Sequence, residues 1–157
     1  MKKNKFWTVL IFLAIPLTVG TLSGVLFSAG DEYGAMVKPM LAPPAWLFPI
    51  VWTVLFTLMG ISSYLIYREH VSRGEKKTAL IIYGIQLLVN FFWPLFFFKL
   101  GTYLFAFIWL ILLWILVLIM ILKFTKINKT AGFLQIPYIL WLTFAAYLNL
   151  AVYLLNR

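Results

Sequence analysis

The sequence predicts an all-α integral membrane protein, a five-transmembrane-helix bundle with one long extracytoplasmic loop between the first two helices. Three observations predict it. Of the 157 residues, 64% are hydrophobic and only 11% are charged, whereas soluble domains are about half apolar and about a quarter charged. Several uncharged apolar runs are each long enough to cross a bilayer. The Lys and Arg residues cluster between these runs.

The predicted membrane spans share a length of roughly twenty residues and contain no Lys, Arg, Asp or Glu; they cover residues 6–28, 46–67, 78–98, 103–122 and 131–155. The connection at 99–102 is very short, so the third and fourth helices should form an antiparallel hairpin. A chain of this length predicts a single transmembrane domain, residues 1–157.

The basic residues predict an orientation in the membrane. Only Lys38, Lys99 and Arg157 fall on one side of the predicted spans, and all the other Lys and Arg residues fall on the opposite side. Because cytoplasmic loops carry the excess of basic residues, we expect a cytoplasmic N-terminus and an extracytoplasmic C-terminus. A bacterial-type cytoplasmic membrane is the simplest location. The net charge of +9 does not indicate nucleic-acid binding, because it lies in the loops that flank the spans.

The residue types exclude several kinds of site. The chain has no Cys, which excludes disulfides, thiolate metal sites and thiol nucleophiles. Its one histidine, His70, lies outside the predicted spans, so neither a metal site nor axial ligation of haem iron is expected. Proton relays and ion pathways place charged residues at membrane depth, and their absence argues against a proton-driven pump or an ion channel. No catalytic residues are predicted on these grounds.

The first loop, residues 29–45, is long, partly apolar and rich in Gly and Pro: AGDEYGAMVKPMLAPPA. Loops of this length are more often functional than simple connectors. Its apolar residues indicate that it packs on something. Two interpretations stay open at this point: a lid over a pocket, or a loop that lies at the lipid interface.

The third span carries Gln86, Asn90 and Pro94 at intervals of four residues. This spacing places both amides on one helix face, and an amide in hydrocarbon has no water to bond. We therefore expect both to point into the bundle. Pro94 has no N–H, so the carbonyl of Asn90 loses its helical donor and the helix is expected to bend there.

Two other spans show the same four-residue step, through Phe48, Trp52, Phe56 and Gly60, and through Pro137, Trp141, Ala145, Asn149 and Tyr153. Two interpretations compete. One is helix packing, with small residues and amides at the contacts, to which the GxxxG of Gly20 and Gly24 also belongs. The other is a ligand pocket with aromatic walls and a few polar groups.

Three stretches, KPMLAPPAWLFPIVWTVLF (38–56), QLLVNFFWPLFFF (86–98) and PYILWLTFAAYLN (137–149), resemble the signature regions of the TspO/MBR family. This family contains the bacterial tryptophan-rich sensory proteins and the mitochondrial translocator protein, also called the peripheral-type benzodiazepine receptor. The resemblance implies five helices around an interior pocket, with the first loop as its lid, and members that often pair as homodimers. It implies as ligands protoporphyrin IX, haem, and synthetic isoquinoline and benzodiazepine compounds, and cholesterol in animal members.

The resemblance implies a ligand site built from three helices and the lid: Tyr33, Pro43, Pro44, Trp52, Phe56, Asn90, Trp93, Trp141, Ala145 and Leu148. This chain departs from the family at Leu41, where a Trp is common two residues before the double proline. Its tail LAVYLLNR (150–157) fits a weak cholesterol pattern, but it does not align with that motif in animal members, so we interpret the match as chance.

The function that the resemblance implies is a membrane receptor for porphyrins and similar planar hydrophobic ligands, with a role in tetrapyrrole handling or stress sensing and no covalently bound cofactor. Three alternatives stay open. One is a light- and oxygen-dependent porphyrin-degrading enzyme, in which Trp52 and Trp141 would be the redox participants. The second is a passive porphyrin transporter, and the third is a regulatory protein that acts through protein contacts.

Overall fold

The computed structural model describes residues 2–27, 30 and 32–157, with side chains from Asn4 onward. Its helices are α1 (Lys2–Leu26), α2 (Glu32–Ala35), α3 (Leu47–Arg68), α4 (Arg73–Pro94), α5 (Tyr103–Ile127), α6 (Lys129–Phe133) and α7 (Ile136–Leu155). A π-helical segment, Leu95–Lys99, follows α4 directly. In this part of the chain, five helical stretches are long and apolar enough to cross a membrane. The predicted all-α, five-span architecture is therefore confirmed.

The helix ends differ from the predicted spans for local reasons. The helix α4 begins at Arg73, before the predicted start at residue 78, because the Ser72 side chain caps its first turn. The Ser72 hydroxyl accepts from the Glu75 backbone N–H (3.2 Å) and donates to the Glu75 carboxylate (2.7 Å). After the end of α1, the predicted boundary of the first span, residue 28, lies outside the described residues.

The helices form a ring whose order differs from their order along the chain. The helix α1 packs on α3 and α4, and α5 packs on α4 and α7. This leaves α3 and α7 as the two helices that meet across the remaining side of the ring. We call the end with the N-terminus and the connections 69–72 and 127–129 the basic end, and the opposite end, which carries residues 32–46, the first-loop end.

Glycines set how closely α1 approaches α3. A Cβ on Gly60 would lie 2.8 Å from the Phe12 carbonyl oxygen and 2.8 Å from the Leu13 Cα, so only glycine fits this crossing. A Cβ on Gly20 would overlap the Phe56 ring, whereas a Cβ on Gly24 would meet nothing within 4 Å. Of the predicted GxxxG pair, Gly20 therefore serves packing within the bundle and Gly24 has open space beside it.

Candidate functional site

The helices α3 and α7 meet through aromatic rings rather than by close approach of their backbones. The Phe48 ring lies edge-on to Trp141, with 5.9 Å between the ring centroids. One turn nearer the basic end, the Trp52 ring lies edge-on to Tyr138 at 6.2 Å. We call this aromatic contact between α3 and α7 the seam, defined by Phe48, Trp52, Tyr138 and Trp141. Large rings hold the two helices apart here, as the walls of an apolar ligand site would.

Hydrogen bonds replace the rings nearer the basic end. The Ser62 hydroxyl donates to the Ala131 carbonyl at 2.6 Å. The Gln135 side-chain amide donates to the Leu58 carbonyl at 3.3 Å. These bonds tie α3 to α6 and to the start of α7. The contact between the two sides of the ring is thus polar and closed near the basic end, and aromatic toward the first-loop end.

The two amides of α4 meet at one hydroxyl group on α7. The Asn90 amide nitrogen donates to the Tyr138 hydroxyl at 2.7 Å, and that hydroxyl donates to the Gln86 side-chain oxygen, also at 2.7 Å. The Gln86 amide nitrogen faces the Met59 sulfur at 3.9 Å. All four side chains are buried. This network confirms the prediction that the amides point into the bundle. Its Tyr138 ring is the one that contacts Trp52.

The tryptophans of the predicted site differ in how their indole N–H groups are used. The Trp93 N–H donates to the Asn149 side-chain oxygen at 3.2 Å. Within the described residues, the indole N–H groups of Trp52 and Trp141 have no hydrogen-bond partner, and both side chains are half-buried. Among the described residues, these two indoles therefore keep an unpaired donor at the seam.

Stacked rings extend the aromatic wall on both sides of the seam. Trp52 stacks on Phe56 with 5.4 Å between centroids and 28° between planes. Trp93 stacks on Phe97 at 5.0 Å and 20°. Offset stacking of this kind adds about 0.5–1.5 kcal/mol to the burial of the rings. The Phe56 ring occupies the space that Gly20 leaves free.

Pro94 marks a change of helix type. The helix α4 continues through this residue, and the chain then widens into the π-helical segment, closed by the Leu100 N–H bonding to the Leu95 carbonyl at 2.9 Å. The wider turn brings two consecutive rings, Phe97 and Phe98, against Trp93. Such π-helical turns occur frequently at functional sites.

The first loop packs on the first-loop end of the seam through Tyr33. The Tyr33 ring lies edge-on to Phe48 at 5.5 Å and to Phe98 at 6.3 Å. Its hydroxyl donates to the Pro43 carbonyl at 2.9 Å, which folds the loop back on itself. The Tyr33 hydroxyl is protonated and able to donate at neutral pH, and burial raises its pKa still further above neutrality. The Lys38 ammonium lies 4.4 Å from the centroid of the same ring.

A residue that the sequence interpretation missed fastens the loop to α7. The Val37 N–H donates to the Asn156 side-chain oxygen at 3.1 Å, and the Asn156 amide nitrogen donates to the Val37 carbonyl at 2.9 Å. One amide thus pairs with both backbone groups of one loop residue, as a neighbouring strand would. Nothing in the sequence around Asn156 marks it, because the pairing depends on where the loop lies.

The predicted site residues fall into three groups by burial. Five of them, Phe56, Asn90, Trp93, Ala145 and Leu148, are buried in the bundle. Four are half-buried at the seam or in the loop: Tyr33, Pro43, Trp52 and Trp141. Pro44 is exposed. Of these residues, Tyr33 and Trp141 both contact Phe48, and Trp52 and Asn90 both contact Tyr138. Leu41 is exposed, as Pro44 is.

Two open clefts lie at the first-loop end, away from the interior of the bundle. The larger, of about 550 Å³, is lined by residues of α5 and α7 that include Tyr103, Ile108 and Tyr153. The other, of about 390 Å³, lies between the first loop and the π-helical segment, beside Met36 and Phe98. Neither is lined by the predicted site residues of the helices.

The TspO/MBR family model matches residues 12–155. The chain is 34% identical over 152 residues to the tryptophan-rich protein TspO of Chlorobaculum tepidum, covering 95% of this chain and 96% of that one. It is 33% identical over 134 residues to the protein CrtK of Rhodobacter capsulatus, covering 85% and 84%. It is 33% identical over 144 residues to the translocator protein of Ovis aries, covering 88% and 83%.

Proposed function

Because the chain belongs to the TspO/MBR family, we propose that it is a membrane receptor that binds porphyrins, such as protoporphyrin IX and haem, and similar planar hydrophobic ligands at the seam. The family resemblance also implies synthetic isoquinoline and benzodiazepine compounds as ligands. No covalent cofactor is needed for this function. The role that follows is tetrapyrrole handling or stress sensing.

The observation that carries this proposal is the seam itself. Aromatic side chains, not closely packed backbones, join α3 to α7. A flat ligand that enters between the rings exchanges ring–ring contacts for ring–ligand contacts of the same kind. The free indole N–H groups of Trp52 and Trp141 can then donate to polar substituents of the ligand. Asn90, whose amide is fixed by Tyr138, supplies a polar group behind Trp52.

The test is a titration of the purified protein with protoporphyrin IX in the dark, followed by quenching of tryptophan fluorescence. The variants are Trp52→Phe, Trp141→Phe and Asn90→Leu. Each should weaken saturable binding at least tenfold, a loss of about 1.4 kcal/mol or more. Trp7→Phe is the matched control, because Trp7 is 61% exposed on the lipid-facing side of α1. This variant should bind protoporphyrin IX as the wild type does. Equal, non-saturable quenching in all these proteins would contradict the proposal.

A second candidate function is light- and oxygen-dependent porphyrin degradation. It is favoured by one observation, the two half-buried indoles of Trp52 and Trp141 whose N–H groups are unpaired within the described residues. Illumination of the same complexes in air separates the two functions. An enzyme would form products in the wild type and lose them in both Phe variants, whereas a receptor would release intact porphyrin. Passive transport would instead appear as flux of intact porphyrin across vesicles.

We further propose that the protein lies in the cytoplasmic membrane, with the basic end at the cytoplasmic face. The distribution of Lys and Arg supports this orientation. The first loop and the first-loop end of the seam would then face the extracytoplasmic side, and ligands would reach the seam from that side. In this orientation the first loop acts as the lid.

A further inference from the structure

Two buried polar atoms have no hydrogen-bond partner within the described residues: the Tyr83 hydroxyl and the side-chain carbonyl oxygen of Gln135. Tyr83 is 6% exposed and Gln135 is fully buried. Neither residue belongs to the predicted ligand site. Most buried polar atoms in native proteins bond to protein or to ordered water, so each of these atoms calls for a hydrogen-bond partner.

Topology places the two atoms at one level of the bundle. Gln86 of α4 and Tyr138 of α7 are hydrogen-bonded to each other at 2.7 Å. Tyr83 stands three residues before Gln86, and Gln135 stands three residues before Tyr138. Both helices run from the basic end toward the first-loop end, and three residues of helix rise about 4.5 Å. Tyr83 and Gln135 therefore lie at the same level of the bundle, one turn nearer the basic end than the bonded pair.

The helix α3 forms the third wall of this level. The Leu58 carbonyl accepts the Gln135 amide nitrogen at 3.3 Å and so fixes which way the carbonyl oxygen of that side chain points. Ser63 faces the Tyr83 hydroxyl, although the two are not directly hydrogen-bonded. The Ser63 hydroxyl donates its own proton to the Gly60 carbonyl at 3.1 Å, which leaves its oxygen able to accept.

The chemistry of this level suits a water molecule. Tyr83 offers a donor, and Gln135 and Ser63 offer acceptors, but no direct bond joins them. Water both accepts and donates, and a buried water in proteins makes about three hydrogen bonds. We propose that one buried water occupies the space between Tyr83, Gln135 and Ser63. It accepts from the Tyr83 hydroxyl and donates to the Gln135 side-chain oxygen and to the Ser63 hydroxyl oxygen.

This water would extend the buried polar chain of Asn90, Tyr138 and Gln86 by one level toward the basic end. It would satisfy both unpartnered atoms at once. Hydrogen bonds through this water would join α3, α4 and α7 at this level, in addition to the apolar packing between them. The inference is independent of which ligand the seam binds.

The first test is thermal unfolding of ligand-free protein in detergent, comparing the wild type with Tyr83→Phe. If the hydroxyl donates to a water, its removal leaves that buried water without its donor, and the midpoint of unfolding should fall by about 2–4 °C or more. Tyr147→Phe removes the same group from a side chain that is 47% exposed and should leave the midpoint unchanged. An unchanged or raised midpoint for Tyr83→Phe would overturn the proposal, since loss of a truly unpaired hydroxyl is neutral or favourable.

The second test is a crystal structure of the wild type at a resolution that shows ordered water. The expected result is a density peak within about 3.2 Å of both the Tyr83 hydroxyl oxygen and the Gln135 side-chain oxygen. A direct Tyr83–Gln135 hydrogen bond with no such peak would overturn the proposal, even if Tyr83→Phe lowers the midpoint. This test needs only the wild type, so it decides the matter if the variant does not fold.

Discussion

Gly20 shows how one residue without a side chain shapes the seam. The Phe56 ring lies where a Gly20 Cβ would be, and that ring stacks on Trp52. The position of Trp52 therefore depends on a glycine in another helix. Gly24, one turn along α1, has nothing within 4 Å of its Cβ position and has no such effect.

We predict that Gly20→Ala displaces the Phe56 ring and destabilises the protein by about 1–3 kcal/mol, the usual cost of overpacking a core. Because the Trp52 stack moves with Phe56, affinity for protoporphyrin IX should also fall. Thermal unfolding and the fluorescence titration measure the two effects. Gly24→Ala is the matched control and should be close to the wild type in both. A Gly20→Ala protein that melts and binds like Gly24→Ala would show that the ring does not depend on this contact.

At the same scale, the sequence predicted which way the amides of α4 point but not what they bind. The four-residue spacing of Gln86 and Asn90 is a local property, and it fixes their common face. Their partner, Tyr138, lies on α7. Its identity depends on the register between two helices, which no local pattern contains. The free indoles of Trp52 and Trp141 could not be predicted for the same reason.

At the scale of elements, the first loop is fastened at two points. Tyr33 folds it back onto Pro43 and packs it on Phe48. Asn156 pairs with both backbone groups of Val37. Composition alone left a lid and an interfacial loop as equal alternatives, because both are partly apolar and rich in Gly and Pro. The contacts of the described loop residues favour an element that is ordered on the bundle.

We predict that Asn156→Ala loosens the first loop and speeds ligand release without changing the seam. Losing two hydrogen bonds of about 0.5–1.5 kcal/mol each should raise the dissociation rate of protoporphyrin IX about tenfold, measured by stopped-flow fluorescence. Asn4→Ala, a change at an exposed position of α1, is the control and should leave the rate unchanged. Equal rates in both variants would mean that the loop does not retain the ligand.

Some helix boundaries could be predicted from the sequence and others could not. The starts of α3 and α5 follow the predicted spans closely, whereas α4 begins earlier because the polar N-cap Ser72 extends it outside the apolar run. The π-helical segment after Pro94 was not predicted. A proline removes one helical donor wherever it occurs, but whether the chain then bends or widens depends on what packs beside it, here Trp93 with Phe97 and Phe98.

At the scale of the whole molecule, the five spans could be predicted because length and hydropathy are local properties. The ring order, which makes α3 and α7 neighbours, could not, because it follows from packing between segments far apart in the chain. Pairing as a homodimer stays a prediction from the family resemblance. The orientation in the membrane also stays a prediction, and the lack of cysteine makes it easy to test.

We predict that a membrane-impermeant maleimide labels Met40→Cys in intact cells and labels Gly74→Cys only after lysis. Met40 is 97% exposed in the first loop, and Gly74 is exposed at the basic end with nothing within 4 Å of its Cβ position. The two variants control for each other, because both sites react freely in detergent. The reverse labelling pattern would place the basic end outside.

The measurement that tests the central claim most directly is the position of a bound porphyrin ring. Crystals of the haem complex, measured near the iron absorption edge, locate the iron by anomalous scattering without any assumption about the ligand's pose. We predict one iron position between α3 and α7, beside Trp52 and Trp141. An iron position on the lipid-facing surface of α1, or in the clefts at the first-loop end, would contradict the assignment of the seam as the ligand site.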